Sequence, residues 1–237
     1  MDMILDIHTH TIASGHGSMD TINQLAQAAS KKGLSLLGIS EHTPAIPGAC
    51  TVSYFNSLIL ANRKRFHIDL LFGAEVNILD CNGLLDLPDK TLKSLDYNIA
   101  SLHPQCIAPS TIKNNTNAYI NAMKHPNIHI IGHPDDEKYP IECETFVLAS
   151  KKYHTLIELN NSSLSPNGYR GNAIERDRII LSLCKEHHVP IIAGSDSHGC
   201  KNVGNFTYAN ALLEEMNFPK ELIVNYNKKM LMDYISP

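Results

Sequence analysis

Short apolar runs recur along the chain in steps of roughly 30 residues, each followed by a stretch of helical periodicity. Ile4-Leu5-Asp6-Ile7-His8 opens as a strand. Asp20 reads as the cap of a helix with Ile22, Leu25, Ala26 and Ala29 on one face, closed near Gly33. Further strands are expected over Leu34 to Ser40, Ile68 to Val76, Tyr97 to Leu102, Ile128 to Ile131, Thr155 to Leu159 and Val189 to Ala193. The helices between and after them are expected over Val52 to Phe66, Asn114 to Lys124, Glu142 to Tyr153, Asn172 to His188, Tyr208 to Met216 and Lys220 to Tyr234. Alternation of this kind predicts an α/β chain with a parallel sheet and crossover helices. Continuously apolar strands suit a sheet covered by helices. The pattern leaves an open doubly wound sheet and a closed barrel both open. No linker or low-complexity stretch divides the chain, so one domain over residues 1–237 is expected.

What each strand runs into is more specific. The chain has 13 histidines, and a subset sits where strands end. The first strand runs into His8-Thr9-His10, with His16 soon after; the second into Glu41-His42; the third ends at Glu75. The later ones run into His103-Pro104, His133-Pro134 and Asp196-Ser197-His198. Functional sites of parallel α/β folds are built at that end of the sheet. On extended backbone, residues i and i+2 point to one side, so His8 with His10, and Asp196 with His198, can grip one metal cluster. Imidazole and carboxylate together suit zinc, iron or manganese. Nine such residues exceed the needs of one tetrahedral ion, so two or three ions with a bridging acid are expected.

The net charge is -4 and the only basic run is Arg63-Lys64-Arg65, read as a helix end, so a dedicated nucleic-acid binder is not expected. The six cysteines form no C-x-x-C pair and read as free thiols. With no signal peptide and no apolar stretch of membrane-spanning length, a cytoplasmic protein is expected.

Ile4-Leu5-Asp6-Ile7-His8-Thr9-His10-Thr11, Ser40-Glu41-His42, Gly132-His133-Pro134 and Gly194-Ser195-Asp196-Ser197-His198 together resemble the PHP (polymerase and histidinol phosphatase) family, in its order and over essentially the whole chain. The small stand-alone bacterial PHP phosphatases are the nearest match. The resemblance implies a distorted (β/α)7 barrel, TIM-like, with a trinuclear metal site, often zinc, at the C-terminal ends of the strands. It implies His8, His10, Glu75 and Asp196 around one ion, His16, His42 and His198 around a second, and Glu75, His103 and His133 around a third. Glu41 departs from the Asp usual before the second-motif histidine, which bears on the support of His42.

The implied activity is hydrolysis of a small phosphate monoester. Closely spaced ions would lower the pKa of a bridging water and offset the phosphoryl charge, with Asp196 or a metal-bound water protonating the leaving oxygen. Other readings are a histidinol-phosphate phosphatase, a PHP-type nuclease and a catalytically silent metal-binding module. Arg170, in the loop after Asn160-Asn161-Ser162-Ser163, is a candidate phosphate clamp; a solvated loop arginine is its plainer reading. Lys138 is a weaker candidate of the same kind. Asp6 is read either as orienting a ligand histidine or as an acid paired elsewhere in the barrel. His67, His125, His129, His154, His187 and His188 are expected off the rim, and Cys106 and Cys200 as bystanders.

Overall fold

The computed structural model describes residues 2–236. Its strands are β1 (Leu5–Asp6), β2 (Leu36–His42), β3 (Lys64–Arg65), β4 (Ile68–Asn77), β5 (Tyr97–Ser101), β6 (Ile130–Ile131), β7 (Leu156–Asn160) and β8 (Ile191–Gly194). Its α-helices are α1 (Ile22–Lys31), α2 (Val52–Ser57), α3 (Asp89–Ser94), α4 (Ile112–Met123), α5 (Cys143–Tyr153), α6 (Ala173–His187), α7 (Thr207–Glu215) and α8 (Lys228–Ile235). The sheet order is β1-β2-β4-β5-β6-β7-β8, parallel throughout, with β3 pairing antiparallel to β4. Just beyond β1 and β8, Thr9 and Ser197 form a parallel bridge. The edges therefore meet, and the sheet is a nearly closed, distorted (β/α)7 barrel.

Two apolar layers hold it. One packs the helices on the outside of the strands, with Leu37, Phe72, Ala100 and Phe146 among its buried members. The other fills the barrel, where Leu5, Ile7, Leu36, Tyr97, Ile99 and Ile192 meet Val224 and the α8 residues Leu231 and Ile235. The Tyr97 hydroxyl donates to the Ile7 carbonyl at 2.6 Å, in space that a Cβ on Gly38 would occupy. Because side chains alternate along a strand, the positions two and four residues beyond this plug face the same interior. There they are polar: Ser40 and His42 follow Leu36 and Gly38, and Glu158 and Asn160 follow Leu156.

The structure corrects four sequence expectations. Thr21, not Asp20, caps α1, because Thr21 and Gln24 form a reciprocal capping box; Asp20 instead accepts the Cys200 N–H at 2.7 Å. The helix from Val52 ends in a 3-10 turn at Leu58–Leu60 rather than at Phe66. The basic run closes no helix, since Lys64 and Arg65 pair with Asp69 and Ile68. The stretch from Lys220 is two 3-10 turns and then α8, which starts where the Asn227 side chain accepts the Lys229 and Met230 N–H groups. Among the described residues no helix is long and apolar enough to cross a membrane.

Candidate metal centre

The strand-end residues converge on Glu75, a β4 carboxylate with no exposure to solvent. Its Oε1 lies 2.8 Å from His133 Nε2, 3.2 Å from His103 Nε2 and 3.5 Å from His8 Nε2. Its Oε2 lies 2.7 Å from His42 Nδ1 and 3.5 Å from His10 Nε2. Asp196 Oδ1 approaches His10 Nε2 at 3.4 Å and His8 Nε2 at 3.7 Å. His16 stacks on His42, with ring centroids 4.8 Å apart, and reaches His198 at 5.2 Å. All nine predicted residues are thus brought to one rim. Three subsets place a ligand atom from each member within 4.8 Å of the others: His8, His10 and Glu75; His10, His42 and His198; and His42, Glu75 and His103. His10 and His42 are shared more widely than the family grouping implies, and His16 stands at the exposed side.

Several of these short contacts are not hydrogen bonds. His8 Nε2, His10 Nε2, His42 Nδ1, His198 Nε2 and Glu75 Oε2 are buried and lack an aligned partner despite their proximity. Leaving such atoms unsatisfied is costly, which makes these groups fit cations and not one another. Burial alone would raise the Glu75 pKa, yet His103, His42 and His8 hold it well below the usual carboxylate range. Burial would lower His8, but Glu158, Glu75 and Asp196 raise it well above an ordinary imidazole. Burial, with His42 and His198 adding to it, lowers His10, and burial lowers His103 to about 4 against the pull of Glu75.

Supporting groups fix the rings from behind. His8 Nδ1 lies 2.6 Å from Glu158 Oε1, and Glu158 Oε2 accepts the His133 N–H at 2.8 Å. A Cβ on Gly194 would overlap the Glu158 carboxylate. His103 Nδ1 lies 2.7 Å from Asn77 Oδ1, while the Asn77 amide donates to Thr43 and Asp86. His10 Nδ1 meets the Ser14 hydroxyl at 3.0 Å, and that hydroxyl donates to Glu41, which also accepts from Thr11. Each acceptor places a proton on Nδ1 and turns the Nε2 lone pair inward. Glu41 therefore supports His10 through Ser14, and its longer side chain reaches across to that loop. Glu158, Asn77 and Ser14 were not singled out from the sequence. Glu158 had one available signal, a lone acid inside the otherwise apolar strand at Thr155 to Leu159. His133 and Asp196 adopt left-handed backbone, with φ of 30° and 49°, a strain of about 1–3 kcal/mol each. The Glu158 bond to the His133 amide helps hold the first.

A family model described as the PHP domain matches residues 6–233. The chain belongs to the PHP family. A probable phosphatase of Clostridium novyi (strain NT) is 44% identical over 235 residues, 99% of this chain and 95% of the relative. One of Clostridium acetobutylicum is 42% identical over 235 residues with the same coverage. Among solved structures, the histidinol phosphate phosphatase of Lactococcus lactis, in complex with zinc, L-histidinol and phosphate, matches with a TM-score of 0.63 at 17% identity, covering 92% of this chain and 95% of that one. At that identity the likeness is one of fold.

In this PHP barrel the weaker candidates separate clearly. Arg170 is no solvated arginine: it is 4% exposed. Its Nη1 lies 3.0 Å from Ser163 Oγ and 3.3 Å from Asp196 Oδ2, and its Nη2 lies 2.6 Å from the Tyr169 hydroxyl. Asn160 also donates to Asp196 Oδ2, at 3.2 Å. Asp196 thereby offers Oδ1 to the histidines and Oδ2 to Arg170. Asp6 accepts the Ser195 and Gly204 N–H groups at 3.2 and 2.8 Å and so anchors the segment after β8, not a histidine ring. Cys106 and Cys200 are free thiols. The rim opens into a cavity of about 480 Å³ whose walls include His42, His103, Lys138, Tyr169, Arg170 and Asp196.

Proposed function

We propose that the protein is a metal-dependent phosphomonoesterase whose strand-end residues hold three divalent ions. The observation that carries this reading is Glu75, one buried carboxylate facing five imidazoles, three of which (His8, His10 and His42) turn unsatisfied nitrogens toward it. The clostridial relatives named as phosphatases support it, as do the zinc and phosphate bound by the Lactococcus enzyme. His8, His10, Glu75 and Asp196 would hold one ion, His16, His42 and His198 a second, and Glu75, His103 and His133 the third. Zinc is the first choice for such a mixed imidazole and carboxylate set, with manganese or iron as alternatives. When bound, such ions lower the pKa of water toward neutrality and offset the charge on phosphoryl oxygens.

The chain's own residues supply the rest. Glu158, Ser14 and Asn77 keep His8, His10 and His103 aimed at the centre. Arg170 lines the cavity beside Asp196 and is assigned to orient the phosphoryl group, its guanidinium already fixed by Ser163 and Tyr169. Burial alone would raise the Asp196 pKa, but His8, His10 and Arg170 hold it well below the carboxylate range. A carboxylate so held suits an ion ligand better than a proton donor, so we assign Asp196 the ligand role. A cavity of this size suits a small phosphorylated molecule. His8→Ala and Asp196→Ala should each abolish phosphate release while circular dichroism stays that of the wild type; undiminished turnover by either variant overturns the proposal.

A further inference from the structure

The floor of the cavity is lined by His42, His103, His133, His198 and Asp196, over the buried Glu75. A phosphate ester with its phosphoryl end on that floor has only the outer wall for the rest of the molecule. That wall includes Gln105, Asp136, Lys138, Ser162, Tyr169 and Arg170. Tyr169 is 63% exposed, yet its ring is fixed: the hydroxyl is held by the buried Arg170, whose Cζ lies 4.6 Å from the ring centroid. Lys138 is exposed, and its Nζ lies 5.6 Å from the same centroid. Among the described residues Lys138 makes no ion pair. The carboxylates beside it form no ion pair with it: Glu137 accepts from the Asn172 amide at 2.6 Å and Asp136 from the Lys138 backbone N–H at 3.0 Å. The charge of Arg170 is met by Asp196. Lys138 is then the one unmatched cation on this wall among the described residues, set beside an immobilised aromatic face.

We propose that Lys138 and Tyr169 form a rim subsite that selects phosphate monoesters whose alcohol portion carries a second anionic group. The proposal rests on the phosphatase reading above. An ammonium at the mouth of a pocket draws anions and repels cations, while the ring supplies a flat contact for the carbon skeleton. Histidinol carries an ammonium group of its own, so a ligand of the Lactococcus type meets repulsion here. Of the acids that would favour a cationic tail, Asp136 is 2% exposed and bonded within its own loop, and Glu137 does not line the cavity.

Phosphoglycolate, ethyl phosphate and phosphoethanolamine are near-isosteric esters with anionic, neutral and cationic tails. With metal-loaded protein at ~0.1 M salt, where an exposed charge still acts over about 10 Å, kcat/KM should be about tenfold higher for phosphoglycolate than for phosphoethanolamine. Lys138→Gln, at an exposed position, should shrink that ratio to roughly twofold or less. Phosphoethanolamine turned over as well as phosphoglycolate, or a ratio that survives Lys138→Gln, overturns the subsite. Calorimetric titration of the same three compounds keeps the two proposals apart. No ester hydrolysed but phosphoglycolate bound preferentially removes the phosphatase reading and leaves the subsite standing; equal binding of all three removes the subsite whatever the turnover.

Discussion

Glu158 shows how much of the site depends on residues that would touch no ion. One carboxylate oxygen fixes the His8 ring and the other fixes the His133 backbone. Glu158→Gln keeps the size but allows an amide N–H to face His8 Nδ1, favouring the tautomer whose Nε2 carries a hydrogen. Such supporting partners are worth about 10- to 100-fold in metal affinity, and a loss of that order is expected when zinc binding is measured by competition with a chelating dye. Unchanged affinity would show that the His8 ring is held by other means. That these nine residues meet at one rim was legible because histidine and acid at strand ends have few other reasons to recur. The supports were harder to read. Serine, asparagine and a single glutamate are ordinary inside any barrel, and only the fold brings Ser14 to His10 or Asn77 to His103. Arg170 shows the same limit, since its loop gave no sign that Asp196 would bury it.

At the scale of elements, the long buried strands and α6 were legible from periodicity, while the irregular connections were not. Lys64–Arg65 joins Ile68 through Phe66 and His67, both with positive φ of 50° and 66°. Two-residue hairpin turns of that kind normally announce themselves with Asn-Gly or Asp-Gly, and Phe-His carries no such signal. Helix α3 has six residues, too few for a helical period to stand out. The last segment matters more, because α8 closes the barrel floor beneath the site. Leu231 is fully buried against that interior layer. Leu231→Ala should cost about 2–5 kcal/mol of stability through lost burial and a residual cavity, read as a lower denaturant midpoint with metal content unchanged. A wild-type midpoint would mean that α8 is not a structural plug.

The whole molecule joins an apolar lower barrel to a polar upper one. The fold is set by the first and the chemistry by the second. Pattern alone could not choose between an open sheet and a barrel, since both bury parallel strands under helices. The closure that decides it comes from a bridge between Thr9 and Ser197, beyond the ends of the regular strands, and from the Asn225 side chain, which donates to the Leu5 and Ala193 carbonyls. That closure also brings Asp196 against His8 and His10, so the seam of the barrel completes the strand-end cluster. Under the proposed function, phosphate release depends on ions held at Glu75 and its histidines. Its most direct test is phosphate release from a small monoester by chelator-stripped protein, with zinc or manganese added back in steps. Activity should be lost on stripping and return as the site refills, saturating near three equivalents per chain; full turnover by the stripped protein would show that hydrolysis needs no bound ion.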